Sequence, residues 1–276
     1  MTDVRHFKLG VISEMIHTAS LIHADVLEEN TDMSDSSQGT LVHQEVALDV
    51  GNKVCILAGD FLLSKAAVEL SLLDNSDVTE LVARGLEAIC EGGMMVSDNN
   101  RDASDAGVTL ERYLGASMSN TAALIANSCH CSSILSGHKA DSIVAQACLS
   151  FGEELALAQQ LVSEAEEMED LLKTCRRSPG KWPASVVPTA PLLIASDTYP
   201  LELRPIIARG YSQAADAAQT IELLDRSRAI FKTLQMAGEH AQAAADALEV
   251  LPSSSARDAL YVLCHKVLAG SPIKPR

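Results

Sequence analysis

Two apolar stretches carry the carboxylates that are best placed for chemistry. Met15–Glu29 ends in acidic side chains, and Gly51–Ala66 carries Asp60 among apolar residues. Carboxylate oxygens are ligands that Mg²⁺ prefers, and a bound cation can in turn hold a phosphate. The arrangement could therefore hold a metal ion and a phosphate, or could be what remains of such a site. Because an unpaired buried carboxylate is costly, Asp60 should have a partner, either Lys53 or the end of a facing helix.

The composition favours a helical protein that does not bind nucleic acid. Hydrophobic residues make up 47% of the 276 residues and aromatic residues only 3%, which favours helix over sheet. The length of residues 1–276 suffices for a large core, in one large domain or two small ones. A net charge of −16 opposes binding to nucleic acid, which needs a basic face.

Cysteine usage bears on the redox compartment, and the most apolar run bears on whether the chain crosses a membrane. Seven cysteines at irregular spacings predict free thiols in a reducing intracellular compartment rather than a disulfide framework. The run Val54–Leu73 contains Asp60, Lys65 and Glu69, so we interpret it as a core helix and not as a membrane span. No signal peptide or transit sequence opens the chain, and a removed presequence remains an open alternative.

Apolar residues recur at helical spacing through most of the chain, and no strand-like alternation competes. Asn75–Asp77 and Pro252–Ser255 carry residues typical of helix N-termini, whereas the prolines in Cys175–Pro191 predict an irregular segment. The sequence therefore predicts an all-α fold. The predicted helices are 8–29, 51–73, 77–92, 109–135, 140–174, 206–218, 221–236, 238–251 and 254–268.

A series of motifs follows one order along the chain. They are His17–His23, Gly51–Leu63, Phe151-Gly152, Gln160, Gly180-Lys181, Thr189–Pro191 and Ala243–Leu260. This order resembles the trans-isoprenyl (polyprenyl) diphosphate synthases, and the resemblance covers essentially the whole chain. It implies a single-domain, isoprenoid-synthase-type helical bundle, here lacking the N-terminal helices. Members of that family lengthen an allylic diphosphate with isopentenyl units.

Two aspartate-rich motifs, each Asp-Asp-x-x-Asp on facing helices, bind Mg²⁺ in that family and so neutralise the departing pyrophosphate. The resemblance places the first motif at Ala24, Asp25 and Glu28, where alanine replaces the leading aspartate and glutamate the last one. The resemblance also implies a degenerate second motif and a vestigial pocket. The second motif is Ser163, Glu164 and Glu167, and the pocket residues are His23, Asn120, Gln160 and Lys181.

The departures from the family pattern affect both sides of the expected site. The paired arginines that follow the first motif fall at Met33 and Ser34, and the Gly-Gly-Lys-x-x-Arg-Pro segment that binds isopentenyl diphosphate has no counterpart. The acidic run from Glu164 to Asp170 also fits a solvated helix face. These substitutions together predict a pseudoenzyme, with no catalytic residue and no resident metal.

The resemblance is closest to the non-catalytic small subunits of decaprenyl and solanesyl diphosphate synthases. It implies a catalytically inactive chain that supports a heteromeric long-chain synthase in isoprenoid and ubiquinone biosynthesis. We expect a catalytic polyprenyl synthase subunit as partner, docked on the helices Gly51–Leu73 and Thr109–Leu135, whose apolar content exceeds what one helix can bury. No cofactor is expected, with weak Mg²⁺ binding as the alternative.

Two other functions remain open at this point. One is a structural subunit with a prenyltransferase fold, recruited into a larger protein assembly in mitochondria. The other is a weakly active, Mg²⁺-dependent prenyltransferase. A mitochondrial location follows from the family resemblance alone.

Overall fold

The structure, a computed structural model, describes residues 4–24, 26, 38–99, 109–119, 122–177, 182 and 189–269. These residues form helices joined by short connections, and none of them lies in a strand, which confirms the all-α prediction. The α-helices are α1 (Val4–Ala24), α2 (Gln38–Ser71), α3 (Ser76–Asn99), α4 (Leu110–Ser119), α5 (Ala123–Leu135), α6 (Ile143–Arg177), α7 (Ala190–Thr198), α8 (Pro200–Ala208), α9 (Asp216–Ser227), α10 (Ala229–Ala247) and α11 (Ser255–Ala269).

Capping side chains fix several helix starts where the sequence predicts them. The Asn75 side chain accepts a hydrogen bond from the Val78 N–H at 3.0 Å and so begins α3. The Ser254 hydroxyl accepts one from the Arg257 N–H at 3.2 Å and begins α11. Each cap satisfies a backbone donor that the first helical turn leaves unpaired.

Helix α6 occupies the middle of the fold and packs against α4, α5, α7, α10 and α11. One apolar core joins α1, α2, α3 and α5, with Ile12 and Val78 fully buried. A second core lies against the C-terminal half of α6 and includes Leu172, Leu192 and Leu203 from α6, α7 and α8. Helix α6 thereby fixes the positions of α4 and α7 on its surface.

Three predicted helices are interrupted in the structure. The segment 109–135 contains two helices, α4 and α5, rather than one. The predicted helix 206–218 breaks after α8, the predicted helix 221–236 breaks between α9 and α10, and α10 continues through the predicted gap at residue 237. Gly210, Tyr211 and Arg228 there adopt left-handed backbone angles, with φ of 63°, 56° and 54°.

Helix α2 presents an apolar stripe to solvent. Its side chains are each 54 to 68% exposed, and at 100° per residue they lie within about 60° of one another around the helix. The stripe is about 33 Å long at 1.5 Å per residue. We call it the α2 stripe, and its members are Val50, Val54, Leu57, Phe61 and Val68 of α2 and Leu72, which directly follows the last residue of the helix.

Helix α5, by contrast, is covered by the chain itself. Seven of its thirteen residues are buried, because α1, α3 and α6 all pack on it. All seven cysteines are free thiols, as predicted. No helix within the described part of the chain is both long and apolar enough to cross a membrane.

Candidate functional site

The predicted second motif lies in the C-terminal half of α6, and its members differ in their surroundings. Glu164 is buried, with 7% of its surface exposed, whereas Ser163 is half-buried and Glu167 is exposed. The interpretation of Glu164–Asp170 as a solvated face is therefore right for Glu167 and Asp170 and wrong for Glu164. The motif does not present a continuous row of carboxylates to solvent.

Both carboxylate oxygens of Glu164 accept hydrogen bonds. The Tyr113 hydroxyl of α4 and the Gln160 amide, at 2.9 Å, donate to Oε1. The backbone N–H of Ala190, the first residue of α7, donates to Oε2 at 2.8 Å. Gln160 Nε2 also lies 3.2 Å from Tyr113 Oη and 3.2 Å from Ser117 Oγ. We call this group the Glu164 network.

The electrostatics of the Glu164 network follow from burial. Burial raises the pKa of the Tyr113 hydroxyl, and the negative charge of Glu164 raises it further. Tyr113 therefore stays protonated and donates to the carboxylate. The three donors, together with the N-terminus of α7, offset the desolvation cost of a buried carboxylate.

Helix α1 ends at Ala24, which is exposed, and Asp25 and Glu28 of the predicted first motif lie outside the described residues. Asn120 and Lys181 of the predicted pocket lie outside them as well. Of the predicted site residues, the structure brings Gln160 and Glu164 into direct contact. Where Asp25 and Glu28 lie relative to them stays a prediction.

His23 lies at the end of α1 against α2. Its Nε2 is 3.2 Å from the Ile56 carbonyl oxygen and 3.5 Å from Asp60 Oδ1. A methyl group at Gly59 would approach His23 Nε2 to 2.1 Å, so glycine makes room for the imidazole. Asp60 has the expected partner in His23, but its side chain is 60% exposed, and the expectation of a buried carboxylate is wrong.

Sequence reasoning missed Tyr113, Ser117 and the Ala190 N–H. Tyr113 is one of only four tyrosines in the chain, which was the available signal. The role of Ala190 comes from its backbone and its place at the start of α7, which its residue type does not disclose. Across the described ranges, no three or more His, Cys, Asp or Glu side chains are grouped closely enough to hold a metal ion.

Comparisons with known proteins give one consistent result. A family model described as Polyprenyl synthetase matches residues 2–224. "Solanesyl-diphosphate synthase 1, mitochondrial" of Oryza sativa is 34% identical over 93% of this chain and 56% of its own length. "Decaprenyl-diphosphate synthase subunit 1" of Schizosaccharomyces pombe is 31% identical over 95% of this chain and 67% of its own length.

The fold agrees with that of a solved relative. The apo form of an Arabidopsis medium/long-chain length prenyl pyrophosphate synthase is similar to this chain with a TM-score of 0.72 and 29% sequence identity. The match covers 97% of this chain and 82% of that one. The chain spans about half the length of several curated relatives that it matches, 54 to 57% of theirs.

These comparisons correct one prediction. The interpretation of the chain as a pseudoenzyme, not an enzyme, is wrong, because relatives 31 to 37% identical over most of the chain are named as prenyl diphosphate synthases. The prediction rested on the joint effect of several substitutions, although a single change from aspartate to glutamate retains the carboxylate. The effects of residues that act together are not additive, so the combined loss does not follow from the single ones.

Proposed function

This chain belongs to the polyprenyl synthetase family, and from that premise we propose that it is a subunit of a long-chain prenyl diphosphate synthase, an enzyme of isoprenoid biosynthesis. The reaction joins isopentenyl units to an allylic diphosphate, so that a carbon–carbon bond forms and diphosphate leaves. The family match over 2–224 and the relatives named as synthases support the reaction class.

The proposal that the synthase is an assembly rests on the α2 stripe. A stripe of six large apolar side chains, each more than half exposed, marks a surface that a partner covers. Apolar positions that recur along one face of a long helix suit packing against another helix. The S. pombe relative is itself named as a subunit, which supports a multi-subunit arrangement.

The partner that fits the α2 stripe best is a different polyprenyl synthetase chain. A second copy of this chain would bring a second net charge of −16 against the first, and like charges oppose association. A homologous chain with less negative charge offers the same helical shape without that repulsion. We therefore propose a heteromer formed through α2, and not through the segment 109–135, whose α5 part is covered within the chain.

Magnesium, which the family implies, does not fit the Glu164 carboxylate. Three protein donors occupy three of its roughly four lone-pair positions, and with 7% of its surface exposed the side chain has little access to a hydrated ion. We assign no step of the transfer to a metal ion held by Glu164. Glu167, one helical turn further along α6, is exposed and so remains accessible to ligands.

The experiment purifies the tagged chain from its native cells and identifies co-purifying proteins by mass spectrometry. Preparations of the isolated chain and of the complex then receive an allylic diphosphate and labelled isopentenyl diphosphate. We expect a second polyprenyl synthetase chain to co-purify and the complex to form long-chain prenyl diphosphate. Absence of product from both preparations, with intact helical circular dichroism, would overturn the proposal.

Substitution of Leu57 tests the assembly surface directly. Leu57 is 68% exposed on the α2 stripe, so Leu57→Glu should leave the chain folded while placing a charge in the interface. Removing an interface anchor costs about 2 kcal/mol or more, which weakens the complex roughly 30-fold. Sedimentation of the mixed chains measures this. Leu201→Glu is the matched control, because Leu201 is 87% exposed in α8, away from α2, and should leave binding unchanged.

A mitochondrial location is also proposed. The Oryza sativa and Neurospora crassa relatives are both named mitochondrial, which supports it. Cell fractionation measures the location, and recovery of the chain outside the mitochondrial fraction would contradict it.

A further inference from the structure

Glu164 stands where the family resemblance places a metal-binding aspartate, but its surroundings suit a different role. It is 7% exposed and lies between α4, α6 and α7. A metal ligand keeps lone pairs directed at its ion, whereas three protein donors occupy three of the roughly four lone-pair positions of the Glu164 carboxylate. The carboxylate is therefore bound from within the fold.

The N-terminus of α7 is not capped by the side chain of its own N-cap residue. Thr189 occupies the N-cap position, yet its hydroxyl makes no capping hydrogen bond. That hydroxyl is buried, and no hydrogen-bond partner lies within reach among the described residues. The Ala190 N–H, one of the unpaired donors of the first turn, instead donates to Glu164 from 26 residues away in sequence.

We infer that Glu164 is the N-terminal cap of α7 and the anchor that joins α4 and α7 to α6, and that it is not a metal ligand. The carboxylate supplies the negative charge that a helix N-terminus favours, and it does so from a neighbouring helix. The same carboxylate binds the Tyr113 hydroxyl of α4. One side chain thus connects three helices around one side of α6.

The length of the side chain matters to this role. Aspartate, which the family has at this position, is one methylene shorter than glutamate. From the same backbone position, a shorter carboxylate would lose reach toward either Ala190 or Tyr113. Glutamate is therefore the substitution that allows α6 to cap α7.

The test measures unfolding of the full-length chain in three Glu164 variants. Glu164→Ala leaves the buried Tyr113 hydroxyl and the Ala190 N–H without the carboxylate that accepts from them, and we expect a roughly 100- to 1,000-fold fall in the folding equilibrium constant. Glu164→Gln keeps one acceptor oxygen, and we expect a fall of roughly tenfold. Glu164→Asp should lie between them. Glu167→Ala is the matched control, because Glu167 is exposed on the same helix, and it should match the wild type.

Hydrogen–deuterium exchange shows which helices lose stability when Glu164 is replaced. In Glu164→Gln we expect faster exchange in peptides that cover the start of α7 and unchanged exchange in α11. If Glu164→Ala does not fold while Glu167→Ala does, that outcome also supports an anchor, and Glu164→Gln then supplies the exchange data.

A magnesium titration separates the anchor from a metal ligand. We expect Mg²⁺ to change the melting temperature of the wild type and of Glu164→Gln by the same amount. A Mg²⁺-dependent rise that is present in the wild type and lost in Glu164→Gln, with exchange at α7 unchanged, would overturn the inference. Wild-type stability in Glu164→Ala would overturn it as well. None of these measurements uses prenyl transfer, so the outcome is independent of the proposed function.

Discussion

Gly152 lies where α6 packs closely against the backbone of α5, and its replacement by alanine should destabilise the protein. A methyl group at residue 152 would lie 2.6 Å from Ala126 Cα, 3.0 Å from Ala126 N and 3.1 Å from the Ile125 carbonyl oxygen. All three atoms belong to the backbone of α5. A flexible side chain could rotate away from the methyl group, but this backbone cannot, so α5 must shift as a whole.

Two opposing effects set the size of the change. Alanine is more favourable than glycine inside a helix by about 1 kcal/mol. Overpacking of a well-packed core costs roughly 1–3 kcal/mol, and contact with backbone at 2.6 Å belongs at the upper end. We therefore expect Gly152→Ala to lower the free energy of unfolding by about 2 kcal/mol.

Urea unfolding followed by circular dichroism measures the change, and Gly238 supplies the matched control. Gly238 lies inside α10, and a methyl group there would have no atom within 4 Å outside its own helix and chain neighbours. Gly238→Ala should raise stability by up to about 1 kcal/mol, from helix propensity alone. The close approach of α5 and α6 would be refuted if the two alanine variants changed stability in the same direction.

Two pH dependences also follow from the structure. Burial raises the pKa of the Tyr211 hydroxyl, so stability should fall as the pH rises above about 10, and Tyr211→Phe should reduce that fall. The fluorescence of Trp182, whose ring centre is 5.3 Å from that of Tyr211, reports unfolding in urea at each pH. Hydrogen bonding from Arg209 lowers the pKa of Asp216, so this pair contributes stability above about pH 4 that is lost as the pH falls further. Asp216→Asn should lower stability at neutral pH and reduce the loss of stability below about pH 4. The same acid loss in Asp216→Asn as in the wild type would contradict this role of the pair.

The helical class could be predicted because the signals are local. Apolar periodicity and capping residues mark α3 and α11, and both predicted caps form in the structure. The long acidic helix also lies close to its predicted range, because its periodicity runs without interruption from Ile143 to Arg177. These features depend on residues within a few positions of each other.

The helix breaks were harder to predict because the apolar pattern continues across them. Arg228 separates α9 from α10 with a left-handed φ of 54°, a conformation that arginine rarely adopts. A glycine there would have signalled a helix end, and arginine does not. Nothing in the residue type at position 228 therefore indicates the end of α9.

The candidate site was likewise only partly predictable from the sequence. The family pattern brought attention to Gln160 and Glu164, which do lie in contact. Neither the burial of Glu164 nor its bond to the Ala190 N–H could be read from the motif, because both depend on how α7 packs against α6. Asp60 shows the converse error, since an apolar neighbourhood in sequence suggested burial, whereas the α2 stripe is itself exposed.

Glu164 and Glu167 show why position on a helix, and not residue type, decides what a carboxylate does. Residues three apart differ by about 60° around a helix, so one can face the interior while the other faces solvent. The inward carboxylate must collect donors to offset its desolvation, and Glu164 has three of them. Once it does so, a substitution there disturbs the start of α7 whether or not it also removes the charge. A loss of prenyl transfer in a Glu164 variant would therefore report the position of α7, whereas the exposed Glu167 is the residue at which a ligand role can be tested without disturbing the fold.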